Sequence, residues 1–321
     1  MKRRDLLIAP SALAALTFAA SARAQIGGAP VRILVGAPAG GSTDTLARSL
    51  AVSMGPVLGR NVIVENRPGA GGNIAADAVA KAAPDGNTLL MSFTSHAINA
   101  TLYPSLPFDP VKDFTALTCV ATSPSILVAH PSVPARDVRE LIALAKAKPG
   151  QLNFAIGAVG SSLHMAGEEF KMQSGVDIVN IPYKGTAPAV QDLLAGQVQL
   201  MFAAVGNVKA HIQAGKLRAL GVTTAKRLPA FPDVPAIAEA LPGYESSAWF
   251  GLFGPARLPA DVARQLSDAA RQALQQPDMR KRLETEGAIP VGNAPEQFAA
   301  FVQSEIPRWA RVVKFSGAKP E

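Results

Sequence analysis

VRILVGAPAGGSTDTLARSLAVSMGPVL, residues 31–58, carries the pattern on which the fold turns. Val31 to Ala37 is an apolar, β-branched run that reads as a strand. Pro38 to Asp44 reads as a loop of glycines and hydroxyls, and Thr45 to Leu58 as an amphipathic helix. A strand passing through a short turn into a helix is one βα unit, and repeated βα units build a mainly parallel sheet.

The pattern continues on both sides of this stretch. Asn61 to Glu65 reads as a second strand, Gly69-Ala70-Gly71-Gly72-Asn73 opens a helix to about Ala82, and Thr88 to Phe93 is a third strand. A new region starts near Ile126. It holds strands at Ser125–Ala129, Asn153–Ile156, Val179–Tyr183, Gln199–Ala203 and Leu217–Val222, with helices at Val138–Ala147, His164–Ser174 and Ala187–Ala195 between them. Trp249 to Phe253 reads as a late strand, followed by helices over Asp261–Gln275, Pro277–Glu286 and Pro295–Phe315. These last helices need the first sheet to pack on. The chain is therefore expected to leave one α/β domain, build a second, and return, which gives two crossing segments of hinge type.

The N-terminus reads as a secretory leader. Lys2, Arg3 and Arg4 precede an apolar run from Leu6 to Ala20, and Ala22-Arg23-Ala24 supplies the small residues of a cleavage site, placed after Ala24. The run is shorter than the ~20 residues that span a bilayer. Arg3-Arg4 leaves both the general and the twin-arginine export routes open. The single cysteine, Cys119, offers neither lipid attachment nor an internal disulfide, so the exported chain is expected free in its compartment. The leader takes +3 of the formal charge of +7, and the mature chain keeps +4 on scattered Lys and Arg. No basic stripe interleaved with aromatics points to nucleic acid. The division expected is 1–24 for the signal peptide, 25–124 plus 246–321 for a discontinuous first domain, and 125–245 for the second.

Three glycine-rich loops stand between a strand and a helix: Pro38-Ala39-Gly40-Gly41-Ser42-Thr43-Asp44, Gly157 to His164, and Tyr183-Lys184-Gly185-Thr186-Ala187-Pro188. Ligands of open α/β sheets bind beyond the carboxyl ends of strands. Helix N-termini present unpaired N–H groups and about +0.5 of a charge, which suits anions. Each loop alone also serves as a tight turn with an N-cap; recurrence in both halves is what favours binding. Gly40, Gly41, Ser42 and Thr43 are the expected donors from the first domain, and Gly160, Ser161 and Ser162 from the second. Asp44 either caps its helix or meets an ammonium group. Ser95-His96 follows the third strand and points to the same cleft, as a contact or as a cap beside a structural histidine. Gly69-Ala70-Gly71-Gly72 lacks dinucleotide spacing and reads as a structural turn. Trp249 reads as core.

Catalytic signatures are missing. No Gly-x-Ser-x-Gly is present, and Ser161 with His164 has the spacing of a cap rather than of a nucleophile and its base. Glu168 and Glu169 point in different directions on a helix, and no His, Cys or carboxylate set has metal-ligand spacing. Neither an enzyme, a metal nor a cofactor is expected.

The stretches Ala37 to Asp44, Val64-Glu65-Asn66-Arg67-Pro68-Gly69-Ala70-Gly71-Gly72-Asn73, Ala83 to Gly86, Ser95-His96-Ala97-Ile98-Asn99, Gly160 to His164, Ile181 to Gly185 and Gly215 to Leu220 occur in fixed order along the mature chain. In this the chain resembles the Bug, or TctC-like, family of periplasmic solute receptors that serve tripartite tricarboxylate transporters. The resemblance implies a type II periplasmic-binding fold of two α/β domains. It also implies a small carboxylate held by amides and hydroxyls, a membrane transporter as partner, and ligand loops at Ala39–Asp44 and Gly160–His164. His164, Gly185 and Thr186 are carried as site candidates, and a monomer is expected. Gln199 stands where this family usually has Asp. A ligand sensor and a Ser161/His164 hydrolase are the alternatives on the same scaffold.

Overall fold

The computed structural model describes residues 28–320, so the expected leader and its cleavage site lie outside the described residues. The first βα unit is β1 (Val31–Val35) and α1 (Ser42–Leu58), followed by β2 (Val62–Asn66), α2 (Asn73–Ala80), β3 (Thr88–Phe93) and α3 (Ser95–Leu102). β4 (Phe114–Ala129) leads into α4 (Val138–Ala147), β5 (Asn153–Ile156), α5 (Ser162–Ser174), β6 (Val179–Pro182), α6 (Thr186–Leu194), β7 (Leu200–Ala204), α7 (Val205–Gln213) and β8 (Arg218–Val222). β9 (Ser247–Pro255), α8 (Ala260–Ala273), α9 (Pro277–Thr285), β10 (Ile289–Pro290) and α10 (Pro295–Ser316) complete the chain. The late helices fall within two residues of their sequence reading, because amphipathic spacing and the prolines at Pro277 and Pro295 mark their starts.

The strand order is β2-β1-β3-β9-β4-β7-β5-β6, with β8 and β10 also on β4. β1 pairs in parallel with β2 and β3. β9 runs antiparallel to both β3 and β4. The departure from expectation is β4. In place of a short strand at 125–129, one continuous strand runs from the first half, where Phe114 to Pro124 pairs with β9, into the second, where Ser125 to Ala129 pairs with β7 and β8. Thr115, Thr118, Thr122 and Ser123 interrupt its apolar pattern and hide its length from a period-two reading. The return passage lies beside it: Thr223 N donates to Ser125 O, and Ser246 N donates to Thr223 O, both at 2.9 Å.

Each half is a three-layer sandwich. In the first, Val31, Ile33 and Val35 pack under α1, α8 and α9, while Leu34 and Leu90 pack under α2, α3 and α10. In the second, one sheet face carries Leu127, Phe154 and Phe202 against α4 and α5, and the other carries Ile126, Val128 and Met201 against α6 and α7. Both faces of the strands are buried, which is why they read as near-continuous apolar runs. Between the halves, α10 meets α5. Arg308 bonds Glu169 of α5 and Glu305 of its own helix, each at 2.9 Å, and also the backbone carbonyl of Glu245. Trp249 and Trp309 both donate to Glu305 Oε2, at 3.0 and 2.7 Å. Trp249 is fully buried, a core residue.

Candidate functional site

The first and second loops share one device. Gly40 N donates to Asp44 Oδ2 at 2.8 Å, and Gly160 N donates to His164 Nδ1 at 3.0 Å. In each case a glycine at positive φ (+83° and +74°) gives its N–H to the side chain four residues on, so the loop closes on the first helical turn. This corrects the expectation that Gly40 and Gly160 themselves donate to a ligand. Gly41 N is directed at Pro38 O and Ser161 N at Ala158 O, at 3.4 and 3.3 Å. α1 begins at Ser42 and α5 at Ser162, two or three residues earlier than the sequence spacing indicates. The N–H groups without an intrahelical acceptor are those of the first turn. Ser42 and Thr43 supply them in one half, Ser162 and Leu163 in the other.

Asp44 and His164, both expected at the ligand, are turned into the protein. Asp44 is 3% exposed. Besides Gly40 it accepts from Asn66 Nδ2 at 2.9 Å and pairs with Arg48 at 3.0 Å. Burial pushes its carboxyl up, but the bonds from Arg48, Gly40 and Asn66 outweigh burial and hold it below the usual carboxylate range. No oxygen is left over for an ammonium group. The His164 ring sits between Gly160 N and Asn180 Nδ2, the latter 3.2 Å from Nε2, with Glu168 Oε1 at 3.6 Å. Burial raises the Glu168 carboxyl, and bonds from His164, Lys171 and Asn180 bring it below its ordinary value. Ser161 Oγ accepts from His164 N at 3.2 Å, the cap that the spacing indicated.

Ser95 and His96 part company. Thr94 Oγ1 accepts from Trp249 N at 2.9 Å, which ties the start of α3 to β9. From there Ser95 faces a cavity of about 360 Å³. His96 turns about 100° round the helix into the core. Its Nε2 donates to Pro110 O at 2.8 Å, and its ring stacks on Phe253 at 4.9 Å and meets Phe114 edge-on at 5.0 Å. Burial holds its pKa down at about 4 against the opposing bond to Pro110. His96 is thus a neutral core histidine, which corrects its candidacy as a contact.

That cavity joins the two halves. Ala70, Gly71, Phe93, Ser95, Asn99, Leu102 and Tyr103 come from the first, and Ala158 to Ser161 from the second, with Pro320 at its edge. A Cβ on Gly160 would lie 2.4 Å from Leu102 Cδ2, so any larger residue would have to push the Leu102 side chain aside, besides being strained at φ +74°. A second cavity, of about 200 Å³, joins Ser42 and Ser123 to Ala204, Gly206 and Asn207, with Glu286 on its rim. Ser42 and Ser161 thus line separate cavities along the same interface. Ala39 and Gly41 are exposed, and Thr43 is buried. Gly185 N donates to Gly157 O at 2.9 Å, and the third loop, with Thr186 at the start of α6, lies against the second rather than in either cavity.

Sequence reasoning missed Gly71, Asn99, Tyr103 and Asn207. The turn at Gly69–Gly72 had the signal, since it too follows a strand and opens a helix. Asn99 and Tyr103 follow Ser95 at steps of four, one face of a helix, once α3 is known to exist. Gln199 Oε1 accepts from Asn153 N and Nδ2 at 3.2 and 3.1 Å, a bond between strand ends away from both cavities. Among the described residues no cluster of His, Cys, Asp or Glu could hold a metal, and no helix is long and apolar enough to cross a membrane.

With this geometry in hand, comparison with known proteins is specific. Residues 46–317 match the family described as tripartite tricarboxylate transporter family receptor. The structure is similar to that of the periplasmic binding protein BugD, at 35% identity and TM-score 0.75 over 91% of this chain and 99% of that one. A Rhodopseudomonas palustris protein solved with adipate is 37% identical, TM-score 0.78, over 91% and 98%. MatC of the same organism, solved with malate, is 36% identical, TM-score 0.75, over 90% and 99%. These relatives carry the two-domain fold of periplasmic binding proteins.

Proposed function

We propose, because the chain belongs to the tripartite tricarboxylate transporter receptor family, that it is a periplasmic receptor enclosing a small carboxylate between its halves for delivery to transporter subunits in the membrane. The observation that carries this reading is the interdomain cavity that Ser95 of one half and Ser161 of the other both line. Among the described residues that line it, none is Arg or Lys. A carboxylate there is matched by hydroxyls, by first-turn N–H groups and by helix dipoles. The relatives solved with adipate and malate support the class of ligand. Closure follows from a ligand that touches both walls and so binds the closed arrangement better than the open one.

The inference extends to the domain division, the leader and the monomeric state. The domains are 25–124 plus 246–321 and 125–245, joined where β4 and the 223–247 passage cross side by side. The leader, residues 1–24, is removed after Ala24, and the mature chain acts as an unlipidated monomer. It catalyses no reaction. Among the described residues the His164 ring is engaged by Gly160 and Asn180 rather than by the Ser161 hydroxyl, which favours a receptor over a hydrolase.

Titration calorimetry and thermal unfolding with a panel of C3–C6 mono-, di- and hydroxy-acids test this. At one hundred times Kd, a ligand bound only by the folded state adds about 2.7 kcal/mol of stability. At least one acid is expected to raise Tm and to titrate with a stoichiometry of one. Silence across the whole panel overturns the proposal.

A further inference from the structure

Along α3, Ser95, Asn99 and Tyr103 form a stripe at four-residue spacing on the wall of the larger cavity. Asn99 is 2% exposed, and its amide has only one orientation open to it. Nδ2 donates to Gly71 O at 3.1 Å and to Asn73 Oδ1 at 2.8 Å. A flipped amide would set oxygen against oxygen at both places. Gly71, at φ +64°, leaves room for this; a Cβ there would sit 2.9 Å from Nδ2. Oδ1 is therefore held in place as an acceptor, and no described residue donates to it. One turn back, Ser95 is 7% exposed, and its hydroxyl makes no hydrogen bond with any described residue. Both oxygens open onto the cavity and are reached by solvent there, so water meets them until a ligand takes its place.

We infer that Asn99 Oδ1 and Ser95 Oγ form a reader for a hydrogen-bond donor on the ligand, so that the site selects hydroxy acids over the corresponding deoxy acids. This rests on the carboxylate-receptor reading above and narrows it. The chemistry is one-sided. A carboxylate offers only acceptors, and Asn99 Oδ1 has nothing to give it. A hydroxyl on the acid's backbone donates to Oδ1 and accepts from Ser95. A deoxy ligand of the same length displaces the water that met Oδ1 and leaves it unpaired, and sites built to bond a hydroxyl reject analogues that lack one. Phe93, Leu102 and Val159 line the rest of the cavity and suit the ligand's methylenes.

Matched pairs on the wild-type mature protein provide the test: malate against succinate, 2-hydroxyglutarate against glutarate, 3-hydroxyadipate against adipate, and lactate against propionate, each hydroxy acid as both enantiomers. In every pair that binds, one enantiomer of the hydroxy acid is expected to bind at least tenfold tighter than its deoxy partner, about 1.4 kcal/mol. Ser95→Ala is expected to shrink that ratio several-fold. Asn99→Ala is expected to reduce it to near one, provided circular dichroism shows it folded; if not, the wild-type ratio and Ser95→Ala decide. The ratio is the readout, because a hydroxyl lost from the carboxylate's own contacts weakens both members alike. Equal binding within the pairs, or a ratio unchanged in Ser95→Ala, overturns the inference and leaves the receptor reading intact. Binding of no acid at all overturns both.

Discussion

Ser95 and His96 are neighbours in the chain, yet one is a surface of the cleft and the other a piece of the core. The difference is 100° of helix rotation. It has a consequence for stability, because the His96 pKa is held at about 4 in the folded protein. An unfolded histidine protonates near 6.5, so between these values only the unfolded state binds the proton. The stabilisation is full above pH 6.5 and is lost as pH falls toward 4, by roughly 3 kcal/mol in total at 1.36 kcal/mol per pKa unit. Urea midpoints measured at pH 7.5, 5.5 and 4.5 are expected to fall accordingly. His96→Phe, which keeps a ring among Phe108, Phe114 and Phe253, is expected to flatten that dependence. It forfeits the bond to Pro110, so its midpoint at pH 7.5 is expected to lie somewhat below wild type.

At the scale of elements, the recurring feature is a glycine whose N–H returns to the side chain four residues on. In the first loop the acceptor is Asp44, and Arg48 and Asn66 complete the staple between α1 and the end of β2. Asp44→Ala removes three partners at once; Gly40 N loses its acceptor, and Asn66 Nδ2 keeps only Ala37 O. Its cost is expected to be about 2 to 3 kcal/mol by urea unfolding, in the range for buried groups deprived of a charged partner. Asp44→Asn retains one acceptor oxygen and is expected to fall between. If Asp44→Ala unfolds like wild type, the staple does not hold the loop.

Across the whole molecule, α10 ties the halves together through a buried polar contact. Arg308 reaches Glu169 of the second half while bonding Glu305 of its own helix, and it lies 4.6 Å over the Trp309 ring. Burial pushes the Glu169 carboxyl up, and Arg308 opposes it. Arg308→Met leaves two buried carboxylates 139 and 3 residues away without their cation. Removing one member of a buried ion pair costs up to 3–5 kcal/mol; Arg308 is a quarter exposed, which places the expected loss at about 2 kcal/mol. The chain's two tryptophans, Trp249 and Trp309, both bond Glu305, so their emission reports the change directly. A native-state emission identical to wild type, with an unchanged urea midpoint, contradicts the role given to Arg308.

The alternation of apolar strands with amphipathic helices, the prolines that open α9 and α10, and the glycine-hydroxyl turns were legible in residues 31–58 and their repeats, because those signals are local. A helix period or a turn residue needs no distant partner. Family motifs told the same story in fixed order. What the chain did not disclose by itself was the 16-residue course of β4, the existence of α3, and which atoms of the loops are free. Those depend on partners brought from far along the chain: Asn66 for Asp44, Asn180 for His164, Pro110 for His96, Gly71 for Asn99. Each contact decides whether a donor or acceptor looks at the cleft or at the protein, and hydrogen-bond saturation of that kind is settled only when the tertiary structure closes.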